Sequence, residues 1–346
     1  MKKLFCAVLA FLMLAGCLAG CVATEPEATT EPKETGLPMN IMQKEDPAQD
    51  GVLRILMVGN SFCFYYVEEL YALFMEKLPE GVQAVEIYNL YYSGCRLDQH
   101  LSWWKSGAAN YQLFKTDATG RVELPPYKGW NLENALKQGN WDYISLQGGY
   151  NGISYLNGDK DEICAKVGEL AEPLLGYFHE QFPLSKLLWH RTWFVEVGRN
   201  TGSYVYKAED EAPYDEAMGY VSAYMCNEFD KDKDYDLVMV NSGAAWTKAR
   251  KLNETANVLP YGGLCARLNK NSFGDGRENA GDGYHDGDIG GAQLLNAYVW
   301  FMTISGVRDL SYSTYKPVYK NNGIEYPLSD AQIEVLKQAA QSVFAE

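Results

Sequence analysis

The chain has 346 residues, 47% of them hydrophobic and 22% charged, which is enough apolar content to build one large α/β domain or two small ones and too much for a disordered chain. Its formal net charge is −15, from 45 Asp and Glu against 30 Lys and Arg. An anionic surface of that size argues against nucleic acid as a partner and against electrostatic docking on anionic lipid.

The first segment is basic and then apolar: Lys2 and Lys3, followed by Leu4 to Leu14, a stretch too short to span a bilayer comfortably. Leu14-Ala15-Gly16-Cys17 and Leu18-Ala19-Gly20-Cys21 come next, and each resembles the bacterial lipobox, whose cysteine is diacylated and becomes the mature N-terminus. Residues 1–21 are therefore expected to be a lipoprotein signal peptide, with Cys17 or Cys21 as the lipidated residue. Loss of Lys2 and Lys3 with the leader would take the charge from −15 to −17. Residues 22–50 are rich in Thr, Glu, Pro and Ala and read as a flexible tether. At about 5–6 Å × √n, such a tether holds a domain roughly 30 Å from the membrane. The expected location is the outer face of the bacterial cell membrane, touched only through the lipid anchor.

Residues 51–346 form the expected globular domain. Five cysteines fall in it, Cys63, Cys95, Cys164, Cys226 and Cys265, an odd number with no CxxC spacing. That pattern speaks against a disulfide framework or a zinc site, and most of these thiols are expected to be small buried residues.

The domain opens on Arg54-Ile55-Leu56-Met57-Val58, a continuous apolar run of the kind buried on both faces of a parallel sheet. Strand-like runs recur at Ala84 to Tyr88, Trp141 to Leu146, Leu187 to Trp189 and Asp236 to Val240. Helix-like stretches separate them: Val67–Leu78, Leu132–Lys137, Ile163–Phe182 and Asp215–Phe229. Two more, Ala292–Ile304 and Ser329–Phe344, close the chain. This alternation predicts a three-layer α/β/α sandwich around a five-stranded parallel sheet, flavodoxin-like in its winding. Leu97–Gly129 and Asn241–Gly281 break the alternation and are rich in Gly, Asn, Tyr and Trp. Both are expected at the carboxyl ends of strands, where open α/β sheets bind ligands.

Chemistry-bearing residues cluster after the first strand and before the last large helices. Gly59-Asn60-Ser61 is a strand-to-helix turn that exposes a hydroxyl and aims the first amides at it, although Asn60 or Ser61 could equally serve as a helix cap. A serine nucleophile needs a base, and the chain has four histidines. His179 lies within an amphipathic helix, and His100 sits in a polar segment with no acid neatly placed beside it. His285 is different: Asp282 precedes it by three residues in a Gly-rich loop, so one turn can present both. His190, Arg191 and Trp193 follow the fourth strand, which makes His190 and Trp193, with Asn60, candidates for substrate contact. Trp103 and Trp104 suit either a sugar-stacking surface or a core. Asp230 to Asp236 alternates acids like a calcium loop but has Tyr235 at the glycine position and Asn241 at the position of the last ligand, so it reads as a charged loop.

Taken together, Gly-x-Ser after the first strand and Asp-x-x-His before a late helix resemble the first and fifth sequence blocks of the SGNH (GDSL-like) hydrolases, closest to a poorly characterised bacterial branch. The intermediate blocks agree, in Tyr92-Ser93-Gly94-Cys95 after the second strand and Ile144-Ser145-Leu146-Gln147-Gly148 at the third. The likeness covers about residues 53 to 308. It implies a serine esterase in which Ser61 is the nucleophile, His285 the general base and Asp282 its orienting acid, with the amides of Ser61 and Gly94 forming the oxyanion hole. Gln147 falls where the superfamily usually carries an oxyanion asparagine, and is expected to take that role with one more methylene. No metal or organic cofactor is implied. The expected substrate is an acylated carbohydrate or other small ester; a lipase- or thioesterase-like enzyme and a non-catalytic glycan-binding lipoprotein are the alternatives.

Overall fold

Backbone carbonyls and amides buried between two layers of helix must pair with one another, and the apolar runs do so as a parallel sheet. The computed structural model describes residues 41–43, 46–148, 154–199, 204–231, 233–271 and 279–345. The first run forms β1 (Val52–Gly59), whose side chains alternate between two cores: Ile55 and Met57 enter one, Leu56 and Val58 the other. A short 3-10 turn, Ser61–Cys63, leads from it into α1 (Val67–Glu76). β2 (Ala84–Tyr91) runs parallel to β1, from Val52 opposite Ala84 to Gly59 opposite Tyr91.

Next come α2 (Leu97–Ser106), β3 (Gln112–Asp117), β4 (Gly120–Glu123), α3 (Leu132–Leu136) and β5 (Tyr143–Gln147). They are followed by α4 (Ser154–Asn157), α5 (Lys160–Gln181), β6 (Lys186–Arg191), α6 (Ala208–Tyr224), β7 (Val238–Asn241) and α7 (Ser242–Ala256). A small parallel pair, β8 (Arg267–Asn271) and β9 (Ala280–Gly281), precedes α8 (Ala292–Ser305). The hairpin β10 (Val318–Asn321) and β11 (Ile324–Pro327) and the helix α9 (Asp330–Ser342) end the chain.

The main sheet has the order β4-β3-β2-β1-β5-β6-β7. Its five parallel strands, β2-β1-β5-β6-β7, are those expected, and the three-layer sandwich is present. The strand count is corrected from five to seven, because β3 and β4 extend the β2 edge in antiparallel register. Within the stretch taken to break the alternation, β3 buries only Leu113 and Thr116, so it has no apolar run to announce it. The second such stretch is corrected in the same way. It contains α7, whose buried residues are small apart from Trp246.

One core lies between the sheet and α1, α7, α8 and α9, and the other between the sheet and α3, α5 and α6. Each fully buried Leu, Ile or Phe in them contributes roughly 1.5–3 kcal/mol. Because β2 lies on one side of β1 and β5 on the other, the winding reverses at the carboxyl end of β1, the place where doubly wound sheets open a crevice.

Candidate active site

Ser61 stands at that crevice because β1 and the turn after it are tightly tied. A Cβ on Gly59 would lie 2.7 Å from both Cys63 Sγ and Gln147 Oε1, so only glycine lets the strand end pass so close to its neighbours. Asn60 caps the turn: its Oδ1 accepts the Phe62 N–H at 2.9 Å and its Nδ2 donates to the Cys95 carbonyl at 2.8 Å. The Cys63 N–H bonds the Asn60 carbonyl at 3.1 Å, and the Ser61 N–H has no acceptor among the described residues.

The loop from Gly281 brings the other two residues. Gly281 has φ +78°, and a Cβ there would fall 1.7 Å from the Cys265 carbonyl oxygen, so both the conformation and the space demand glycine. Asp282 Oδ1 accepts the amides of Tyr284 and His285 at 2.9 and 2.8 Å, which folds the loop into a single turn. Asp282 Oδ2 receives the His285 Nδ1–H at 2.6 Å, leaving Nε2 to accept from Ser61 Oγ at 2.8 Å. The carboxylate thereby sets the tautomer of the imidazole. Burial pushes the Asp282 carboxyl up, but the His285 bond and charge and the two amides outweigh it and hold the group well below the usual carboxylate range. His285 and Asp282 keep 22% and 19% of their side chains exposed, so the pair is reachable from solvent. A hydroxyl facing an imidazole nitrogen that is backed by a carboxylate is the arrangement needed for general-base activation of a nucleophile.

Aromatic side chains frame this chain of bonds. Phe62 packs on Tyr284 at 4.7 Å between centroids, and Tyr65 and Tyr284 make T-shaped contacts with His285 at 5.4 and 5.2 Å. Trp193 Nε1 donates to the Tyr284 carbonyl at 3.1 Å and its ring stacks on Trp246 at 4.5 Å. Trp246 in turn donates to Asn296 Oδ1 at 2.8 Å, and Asn296 reaches Asp286 at 3.4 Å. These contacts underpin the loop from below.

The remaining residues expected at the site divide. Gly94 lies in the exposed turn after β2, whose Tyr92 N–H reaches the Gly59 carbonyl at 3.4 Å, and so shares a sheet edge with Ser61. Gln147 is 3% exposed and holds Asn60 at both ends of its amide: Nε2 donates to Asn60 Oδ1 at 3.0 Å and Oε1 accepts the Asn60 N–H at 3.3 Å. Its contacts position the Ser61 turn, with one of the two Nε2 hydrogens used on Asn60. The residues expected to contact substrate are buried instead. Asn60 is 8% exposed and its polar atoms go to Cys95, Phe62 and Gln147. Trp193 is 1% exposed and supports the loop. His190 has no exposed surface; it bonds Ser242 Oγ at 3.1 Å, and burial lowers its pKa to about 3. Position in the chain alone suggested these roles, whereas the segment after β6 is tied under the 281–285 loop by the Trp193 Nε1–H to the Tyr284 carbonyl and the Glu196 N–H to the Gly283 carbonyl.

His100 is buried against Tyr111 Oη at 2.8 Å, with its pKa lowered by burial to about 4. The five thiols of the domain are all free, and burial pushes Cys63 up to about 12, as suits an inert residue beside the nucleophile turn. Among the described residues no group of three or more His, Cys, Asp and Glu side chains could hold a metal ion. Cys17 and Cys21 lie outside the described residues. Tyr65, Tyr284, Arg199 and Arg267 approach the site without having been singled out in the sequence; for Tyr284 its place inside the Asp-x-x-His motif was the available signal.

No curated protein matches the sequence. Among solved structures, the chain is similar to a DUF4886 family protein from Bacteroides uniformis, at 20% identity and a TM-score of 0.59, covering 85% of this chain and 95% of that one. That likeness establishes a shared fold. An acetyl xylan esterase from Geobacillus stearothermophilus aligns at 14% identity and a TM-score of 0.38, over 73% of this chain and 92% of its own. A lipase from a goat rumen metagenome aligns at 11% identity and a TM-score of 0.40, over 73% and 97%. Residues 54–324 match a family described as a domain of unknown function, DUF4886, and since that span takes in more than half of the chain, the protein belongs to the DUF4886 family.

Proposed function

We propose that the protein is a serine esterase that removes acetyl or other short acyl groups from an envelope or environmental glycan. The observation that carries this reading is the continuous bond chain from Asp282 through His285 to Ser61, at 2.6 and 2.8 Å. In the reaction, Ser61 Oγ attacks the ester carbonyl carbon while its proton passes to His285 Nε2. The alcohol leaves with that proton, and an acyl-enzyme remains. Water then attacks the acyl carbon, gives a proton to His285, and the proton returns to Ser61 as the acid departs. Asp282 stabilises the imidazolium in both halves. The N–H groups of Ser61 and Gly94 are the donors for the oxyanion, and Gln147 acts on it by fixing Asn60 and hence the Ser61 amide.

The glycan part of the proposal is supported by the lipobox-like leader and tether, which suit an enzyme held near envelope polymers, and by the Tyr- and Trp-rich insertions. The test is hydrolysis of p-nitrophenyl esters of increasing chain length by the full-length protein in detergent, beside Ser61→Ala. Serine-dependent activity confined to acetate and propionate is the expected result. Activity that rises with chain length would replace it with a lipase reading, and failure to label with a fluorophosphonate probe would remove the nucleophile altogether.

A further inference from the structure

Five of the described arginines, Arg54, Arg96, Arg121, Arg191 and Arg250, sit in ion pairs. Arg199, Arg267 and Arg308 do not: among the described residues none of the three guanidinium groups has a carboxylate partner, in a chain with net charge −15. Arg308 donates to the Met302 and Val307 carbonyls, whereas Arg199 and Arg267 stand at the candidate active site. The Arg267 guanidinium lies over the Tyr65 ring at 4.0 Å, and that of Arg199 over the Tyr284 ring at 5.8 Å. These are the two tyrosines that meet His285 edge-on, with interplanar angles of 77° and 85°. Each ring therefore stands near-perpendicular to the imidazole and beside a cation.

Backbone bonds tie both arginines to the loop that carries Asp282 and His285. The Arg267 N–H donates to the Asn279 carbonyl at 3.0 Å, with Arg267 opposite Ala280 in the β8–β9 pair. The Glu196 N–H donates to the Gly283 carbonyl at 2.9 Å, and Arg199 closes a turn on the Glu196 carbonyl at 3.1 Å. Nearby acids are engaged elsewhere: Asp282 with His285, Glu196 with Arg250, and Asp288 with the amides of Leu268 and Ile289. Asp286 is fully buried, and burial raises its pKa to about 7.

Two guanidinium groups with no carboxylate partner among the described residues, beside a histidine that must become imidazolium, oppose the reaction by Coulomb repulsion unless the substrate brings a negative charge. We infer that Arg199 and Arg267 form an anion subsite for an oxyanion on the acylated substrate, matching a carboxylate such as that of an acidic sugar. The inference rests on the esterase reading above and names its substrate class: O-acylated acidic saccharides. Cation–π contact with a tyrosine ring, close for Arg267 at 4.0 Å and looser for Arg199 at 5.8 Å, restrains each side chain without using up an N–H donor.

The experiment compares acetate release by the full-length protein from acetylated oligogalacturonate and from its methyl ester, which keeps the sugar and removes the charge. The wild type is expected to favour the charged substrate by about tenfold or more in kcat/KM, and Arg267→Gln and Arg199→Gln to erase most of that ratio. Arg267→Lys should retain part of it, and the remote exposed Lys251→Gln all of it. Equal rates on the two substrates in the wild type, or an unchanged ratio in both Gln variants, would overturn the anion subsite while leaving the esterase standing. Absence of Ser61-dependent acetate release from either would overturn both.

Discussion

His285 and His190 both lie where the carboxyl ends of the parallel strands gather, and the two regions around them treat the same side chain in opposite ways. His285 is part-exposed, bonded on Nδ1 by a carboxylate and on Nε2 by a hydroxyl. His190 is fully buried among Tyr66, Trp193 and Trp300; its Nε2 meets Ser242, its Nδ1 has no partner among the described residues, and burial drives its pKa to about 3. The neighbouring acids repeat the contrast. Asp282 is held ionised by two amides and the imidazole, whereas Asp286, four positions on, is buried with one oxygen unpartnered among the described residues and rises to about 7. What separates the candidate catalytic groups from the packed ones here is the set of hydrogen-bond partners each meets, not residue type or place in the chain.

The comparison can be broken most directly at the bond chain. Ser61→Ala and His285→Ala should each lower kcat on a p-nitrophenyl acetate substrate by about 10⁴-fold or more with the far-UV circular dichroism unchanged, while His190→Gln should stay within about tenfold of wild type. A large loss in His190→Gln and none in His285→Ala would reverse the assignment. Asp282→Asn should fall next, by about 10³-fold, because the amide favours the wrong imidazole tautomer. On the packed side, Trp193→Ala should cost about 3–5 kcal/mol in denaturant unfolding, since it removes a fully buried ring and the bond to the Tyr284 carbonyl. Gln147→Ala should reduce kcat about tenfold through the loosened Asn60 turn, and a loss of 10²–10³-fold would restore Gln147 to direct oxyanion binding.

The smallest effect sharpens the contrast between compensated and uncompensated acids. Burial lifts Glu69 to about 8, with its Oε2 unpartnered among the described residues, as it lifts Asp286 to about 7. A carboxyl whose folded pKa exceeds its unfolded value leaves the native state holding more protons, so stability falls as pH rises from about 4 towards 8. Glu69→Gln should remove its share of that slope, which is on the order of a few kcal/mol at most because one pKa unit is about 1.4 kcal/mol. Thermal melts of wild type and variant between pH 5 and 9 provide the check, and parallel curves would count against the burial of an ionisable Glu69.

Much of this was legible before folding. The five parallel strands are continuous apolar runs because both faces are covered, and such runs are visible in a sequence. Gly59-Asn60-Ser61 and Asp282-Gly283-Tyr284-His285 were also visible, since each motif is closed within one turn by local bonds: the Asn60 cap and the Asp282 amide contacts. The edge strands β3 and β4 were not, because Leu113 and Thr116 are all that β3 buries and its stability comes from pairing with β2. Helix α7 lacked a broad apolar stripe for a similar reason. By itself, then, the sequence determined the sandwich, its winding and the two halves of the candidate triad. Only the tertiary structure decided which strand-end residues face outward, that Gln147 grips Asn60, that His190 and Trp193 are buried, and that two arginines stand beside the tyrosines that meet His285. Burial and charge compensation are sums over neighbours far apart in the chain, and no local pattern encodes them.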